Sequence, residues 1–279
     1  MMPQERASDR ERKQTAIVTG ANRGIGLGVA TLLIERGWRV IMAVRDDEKG
    51  RDAAGKLAST GERTESGTAG TVEVRRVDVA DETSVAAFAD AIRGERRPID
   101  ALVNNAAVAL DGFDETVARM TVDTNFYGPI RLTDAVLPLM RKGARVVMVS
   151  SGAGELSILS ASLRARFTAD DLDRDRLYAL MEEFVRDVAD GRHRDAGWPD
   201  SCYGVSKAGL NAFVRIAARD LAERGIAINA VCPGWVRTDM GGPGASRSID
   251  EGAASVVHGV FVDEGTTGGF YRDGSRIAW

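Results

Sequence analysis

The stretch TAIVTGANRGIG, residues 15–26, decides the fold. TAIVT is a short β-branched run, and Gly20, Gly24 and Gly26 follow it in a turn. The helix-forming run VATLLIERG then leads on to a second apolar run, WRVIMAV, at residues 38–44. Strand, glycine turn, helix and strand in that order open a βαβ unit. Further strand candidates are residues 71–77, 100–103, 144–150, 226–231 and 269–271, with helical stretches between most of them. Strands joined through helices need crossover connections, so the pattern predicts a largely parallel sheet covered on both faces, a doubly wound α/β fold. No internal repeat or Pro-rich linker divides the chain, and residues 14–279 read as one domain.

Two stretches break the rhythm. STGERTESGTAGT, residues 59–71, is polar and Gly-containing and reads as a surface loop. Residues 160–199 are far more charged and read as a helical insertion. Within it Leu177, Leu180, Met181, Phe184, Val185 and Val188 recur at helical spacing and form one apolar stripe. Such a stripe either packs on the domain or docks a partner. Thr168, with Asp171 three residues on, resembles a cap at the start of this insertion. Residues 1–13, rich in Arg, Glu, Asp and Lys, read as a disordered, solvated tail without the apolar centre of a secretory signal.

Among 279 residues, 44% hydrophobic and 28% charged describe a soluble protein able to bury a sizeable core. The 37 basic and 41 acidic side chains leave a net charge of -4, which attracts neither nucleic acid nor acidic lipid. Two cysteines, Cys202 and Cys232, and two histidines, His193 and His258, are too few for a disulfide framework or a clustered metal site. A cytoplasmic setting is expected, and no apolar run reaches membrane-spanning length.

A glycine turn between the first strand and its helix lets backbone approach a pyrophosphate, and the helix N-terminus supplies unpaired N–H groups to it. A tight turn without a ligand is the plainer alternative. The end of the second strand discriminates between cofactors, since an acid there bonds the ribose hydroxyl of NAD and a cation accepts the 2′-phosphate of NADP. The chain reads AVRD: Arg45 stands at that place, Arg23 lies in the glycine turn and Lys49 follows, three cations placed to converge on one phosphate. Asp46, one step later, is the feature that would favour NAD. NADPH is the expected cofactor.

Taken together, TGANRGIG, Asp78 in VDVAD, NNAA at residues 104–107, Asn125 in DTNFYG, the pair Ser150 and Ser151, YGVSK at 203–207 and PGWVRTDM at 233–240 resemble the short-chain dehydrogenase/reductase family, in its carbonyl reductase branch. The resemblance spans nearly all of residues 15–279. It implies a Rossmann-type three-layer αβα sandwich on a parallel seven-stranded sheet of order 3-2-1-4-5-6-7. It implies a cofactor site drawn from Gly20, Asn22, Arg23, Gly24, Ile25, Gly26, Arg45, Lys49, Asp78, Val79, Asn104, Ala106, Tyr203, Lys207, Pro233, Gly234, Val236 and Thr238. Asp78 would meet the adenine edge, and Val236 and Thr238 the nicotinamide carboxamide.

Reducing a carbonyl needs a proton for the oxygen as well as a hydride for the carbon. Tyr203 fits the acid, and Lys207, one helical turn later on the same face, is a cation that would lower the phenol from its ordinary value near 10. Ser151 falls where a fifth strand ends and can hydrogen-bond the substrate carbonyl, with Ser150 as an adjacent rival. By the resemblance Ser151 is the catalytic serine. By the same resemblance Asn125 binds a water through its local backbone and relays protons to Lys207, which also bonds the nicotinamide ribose. Cys202 has no histidine near it in sequence and reads as a structural thiol.

In most members that this chain resembles, the helices carrying Asn125 and Tyr203 pair between subunits; the insertion would cover that surface and leave a monomer. The Gly- and Ser-rich GGPGASRSIDEGA after Met240 reads as a mobile substrate lid. With Trp235, Met240 and Leu156 as apolar walls, a hydrophobic ketone, quinone or aldehyde is the expected substrate. Two rivals remain open: an NADP-linked alcohol dehydrogenase acting on a terpenoid- or steroid-like alcohol, and a non-catalytic NADPH sensor that docks a partner through the insertion.

Overall fold

The computed structural model describes residues 13–58, 70–263 and 265–279. Eight strands form one sheet in the order β3-β2-β1-β4-β5-β6-β7-β8. They are β1 Thr15–Thr19, β2 Arg39–Val44, β3 Thr71–Arg76, β4 Ile99–Asn104, β5 Met140–Val149, β6 Ala227–Val231, β7 Phe270–Arg272 and β8 Ser275–Arg276. The first seven run parallel in the expected order. The eighth is an added antiparallel strand that turns back on β7 through Asp273 and Gly274, both at positive φ. Asp-Gly is the strongest short hairpin signal, so YRDGSR carried this strand in the sequence.

Central strands are buried on both faces, which is why TAIVT and RVIMAV are apolar almost throughout. Alternation sorts them: Ile17, Ile41 and Leu102 face one core, and Val18, Met42 and Val103 the other. The helices are α1 Gly24–Glu35, α2 Asp47–Ala58, α3 Glu82–Gly94, α4 Glu115–Val122, α5 Gly128–Val136, α6 Ala161–Thr168, α7 Arg174–Ala189, α8 Cys202–Glu223 and α9 Ile249–His258. Helices α1, α2 and α9 bury residues in the core of Val18, and α3, α4, α5, α7 and α8 in that of Ile17. Strand β5 begins four residues earlier than expected, because Met140 still pairs with Ile99 before the register shifts.

The insertion forms α6 and α7. Its cap is a correction: Thr168 ends α6, with its hydroxyl bonded to the Arg164 carbonyl at 2.9 Å, and does not start a helix. Ser160 caps α6 and Asp173 caps α7, each through a side-chain oxygen that accepts a backbone N–H. All six stripe residues of α7 are buried. Met181 lies against Gly209 of α8, Phe184 meets Trp198 of the same insertion at 5.3 Å, and Tyr178, beside the stripe, meets Phe126 edge to face at 5.7 Å. Arg119–Glu182 and Arg174–Asp134 ion pairs close the rim. The tail lies outside the described residues apart from Lys13, and the loop at 59–71 apart from Gly70 and Thr71.

Candidate active site

The carboxyl ends of the parallel strands open on a cleft of about 530 Å³, the edge at which ligands of open α/β sheets bind. Its floor is the β1–α1 turn. Gly20 and Gly24 sit at φ of 63° and 54°, a region side-chain-bearing residues avoid. A Cβ on Gly26 would come within 2.5 Å of both the Gly20 carbonyl and Asn105 Nδ2, so α1 reaches its close contact only with glycine there. Thr19 Oγ1 accepts from the backbone N–H groups of Asn105 and Ala106 at 2.8 and 2.9 Å, tying the turn to the end of β4.

Helix caps point to where an anion belongs. Helices α3, α4, α6, α7, α8 and α9 each begin under an Asp or Ser side chain. Asp46 does the same for α2, accepting from Glu48 and Lys49. Helix α1 starts at the cleft under Arg23, with no side-chain cap and no acid in its first turn. Its first N–H groups and positive dipole end therefore remain for a phosphate. The glycine cradle and this uncapped terminus fit a dinucleotide.

Of the expected cofactor residues, Gly20, Asn22, Arg23, Gly24, Ile25, Arg45, Asp78, Val79, Ala106, Tyr203, Lys207, Pro233 and Thr238 line the cleft. Gly26 packs beneath it. Lys49 stands outside the lining, 72% exposed and paired with Asp46 at 3.4 Å. Asp46 is thus occupied by its helix cap and by Lys49, whose contacts hold its carboxyl below the usual range, whereas Arg45 makes no ion pair among the described residues. Asn104 is buried behind the wall, donating to Thr133 Oγ1 at 3.0 Å; its neighbour Asn105 lines the cleft instead. Gly234 and Val236 also lie outside the lining; Val236 bridges to Arg247 and, with Arg237 N–H donating to Arg247 O at 2.9 Å, fastens the base of the loop after Met240. Asp239 was not anticipated: it crosses the cleft to pair with Arg23 at 2.5 Å.

Tyr203 and Lys207 line the cleft together with Ser150, and Ser151 stands beside Tyr203 just outside the lining. Ser151 is close enough to act on the Tyr203 phenol, while its hydroxyl oxygen accepts from the Ala153 N–H at 3.1 Å. Burial pushes the Tyr203 phenol up, the neighbouring Ser151 opposes the rise and Cys232 adds to it. Lys207 Nζ is fully buried, donates to the Val149 carbonyl at 2.8 Å and lies 5.7 Å from the centre of the Tyr203 ring. Burial pushes its ammonium down to about 8. The spacing suggested that Lys207 pulls the phenol down; burial instead raises it, and Lys207 is not among the groups that shift it. Ser150 donates to Asn211 Oδ1 at 2.6 Å, which commits its hydroxyl to α8.

Asn125 lies in a π-helical turn, Asp123–Tyr127, inserted between α4 and α5. Its amide exchanges hydrogen bonds of 2.8 Å with both backbone groups of Val108 and donates to Ser206 Oγ at 3.2 Å. The wider turn leaves local carbonyls out of the helical ladder. Among the three residues expected as apolar walls, Met240 lines the cleft. Trp235, 60% exposed, instead donates from its indole to Gly241 O at 2.9 Å, and Leu156 packs against the core.

A glycine-cradled, uncapped helix terminus beside a half-buried Tyr–Ser pair and a buried lysine defines a dinucleotide-binding oxidoreductase. A family model described as short chain dehydrogenase matches residues 14–163, and one described as enoyl-(acyl carrier protein) reductase matches residues 192–261. The chain belongs to the short-chain dehydrogenase family. Carbonyl reductase (NADPH) 1 of Bos taurus is 38% identical over 278 residues, covering 95% of this chain and 98% of that protein. Salutaridine reductase from Papaver somniferum superposes with a TM-score of 0.84 at 27% identity, covering 93% of this chain and 99% of that one. The NADPH-bound carbonyl reductase from chicken fatty liver does so with a TM-score of 0.70 at 25% identity, over 96% and 100%.

Proposed function

We propose that the protein reduces a small, largely apolar ketone, aldehyde or quinone to the alcohol. Its cofactor is NADP(H), which when bound supplies the hydride. The observation that carries the reading is the placement of Tyr203 and Lys207 in the cleft beside the glycine cradle, with Lys207 anchored to Val149 and Ser151 next to the phenol. Tyr203 Oη gives its proton to the substrate oxygen, and the Ser151 hydroxyl bonds the same oxygen and orients it. Lys207 spends one N–H on Val149 and keeps two for the ribose hydroxyls and the proton path. Asn125, with its side chain locked to Val108, holds the π-turn whose free backbone binds the relay water. Arg45, which makes no ion pair among the described residues, takes the 2′-phosphate, and Arg23 joins it by exchanging Asp239 for the phosphate.

The buried stripe of α7 supports a monomer and counts against a sensor that docks partners through the insertion. Cys202 and Cys232 are buried and unpaired, which suits the reducing cytoplasm. No helix among the described residues is long and apolar enough to cross a membrane.

The test follows NADPH absorbance with apolar ketones, aldehydes and quinones. Tyr203→Phe is expected to lower turnover by about a hundredfold to ten thousandfold while NADPH still binds. Turnover undiminished in Tyr203→Phe removes the assigned acid. Tight NADPH binding without turnover of any carbonyl favours the sensor.

A further inference from the structure

Arg272 is the last residue of β7. Along this strand Phe270 joins the core under α8, and Tyr271 packs against the opposite one. Alternation therefore places Arg272 on the sheet face that carries Tyr203 and Lys207. Its Nη2 donates to Cys232 Sγ at 3.2 Å, and Cys232 is close enough to act electrostatically on both Tyr203 and Lys207. The same nitrogen lies 3.0 Å from the point a Cβ would occupy on Gly152, the residue after Ser151. The missing side chain at 152 makes room for a guanidinium beside the serine.

That guanidinium is under-used. Its Nε is buried and has no acceptor, and Arg272 makes no ion pair among the described residues. Asp273, next in the chain, is held by Arg247 at 2.6 and 2.9 Å. Glu155 brings Oε1 to 3.4 Å of the same Gly152 point but forms no ion pair with Arg272. Arg272 is half-buried with its Nε withdrawn from water, where such a group is normally paired, and a planar guanidinium fork matches a carboxylate with two parallel hydrogen bonds. At the carboxyl edge of a parallel sheet, the partner left over is a ligand's.

We propose that Arg272 is a specificity-determining residue that receives a carboxylate of the substrate, so that the preferred ketone or aldehyde has an apolar body and an acid group a few bonds from its carbonyl. The short spacing follows from the one-residue step, about 3.8 Å between Cα atoms, that separates Ser151 from Gly152. The inference rests on the reductase reading above and narrows its substrate class.

The experiment compares kcat/KM for acetoacetate, levulinate and acetylbenzoate, each beside its own methyl ester, in wild type, Arg272→Gln and Arg272→Lys. Wild type is expected to prefer at least one acid over its ester by about tenfold or more, mainly through KM, as a charge-assisted hydrogen-bonded pair provides. Arg272→Gln should bring that ratio to one or below, and Arg272→Lys should retain part of it. A general loss of folding lowers acid and ester together and leaves the ratio unchanged. A wild-type ratio at or below one across the series, or a preference that Arg272→Gln leaves intact, overturns the proposal. If the esters are turned over in a Tyr203-dependent way without such a preference, only this inference fails. If no carbonyl is turned over through Tyr203, the reductase reading fails with it.

Discussion

Lys207 concentrates the site's chemistry in one titration. Burial brings its ammonium from the ordinary 10.5 down to about 8. Below that pH the amine carries the proton that replaces the one Tyr203 gives up, and above it the amine is neutral. The kcat/KM for carbonyl reduction should therefore fall as pH rises through about 8, and alcohol oxidation should gain over the same interval. A pH-rate profile in both directions checks this, and a reduction limb flat between about pH 6.5 and 9.5 would remove Lys207 from the proton path. The same shift bears on stability: between about 8 and 10.5 the unfolded chain binds the proton more readily than the folded one, so this residue's contribution to stability rises with pH there. The type and place of Tyr203 and Lys207 were legible as a helical i, i+4 pair. The balance between burial and neighbouring charge was not, because it depends on what α8 packs against.

Among the elements, α7 is the one whose removal is most informative. Phe184 is fully buried between Trp198 and the rest of the stripe, and its truncation leaves a cavity that close-packed neighbours fill only in part. Phe184→Ala should lower unfolding free energy by about 3–5 kcal/mol in urea titration. A loss below about 1 kcal/mol would mean that α7 is loosely docked. The periodicity of the stripe announced this helix, since apolar residues on one face are a local record of burial. The cap did not follow as readily: the spacing of Thr168 and Asp171 suggested a start, whereas Ser160 and Asp173 cap the two helices, the Asp173 carboxylate accepting the N–H of Arg176 at 2.8 Å. The π-turn around Asn125 left no trace in composition, because one extra residue in a helical turn alters no hydrophobic pattern.

For the whole molecule, the expected solution mass is that of one chain, 29.9 kDa, since Tyr178 and Met181 meet the π-turn and α8 within the same chain. Sedimentation or light scattering that returns twice that value would show that another face associates. The order of strands and helices, the glycine turn, the Tyr–Lys pair and the apolar stripe were determined by the sequence alone, because each is a short-range pattern of backbone freedom or burial. Which hydroxyl meets Tyr203, that Asn105 and not Asn104 faces the cleft, that Asp239 reaches Arg23 and that Arg272 rises beside Gly152 were decided only by tertiary structure. Those contacts join residues far apart in the chain, and their partners are set by sheet register and crossover geometry, which no local pattern encodes.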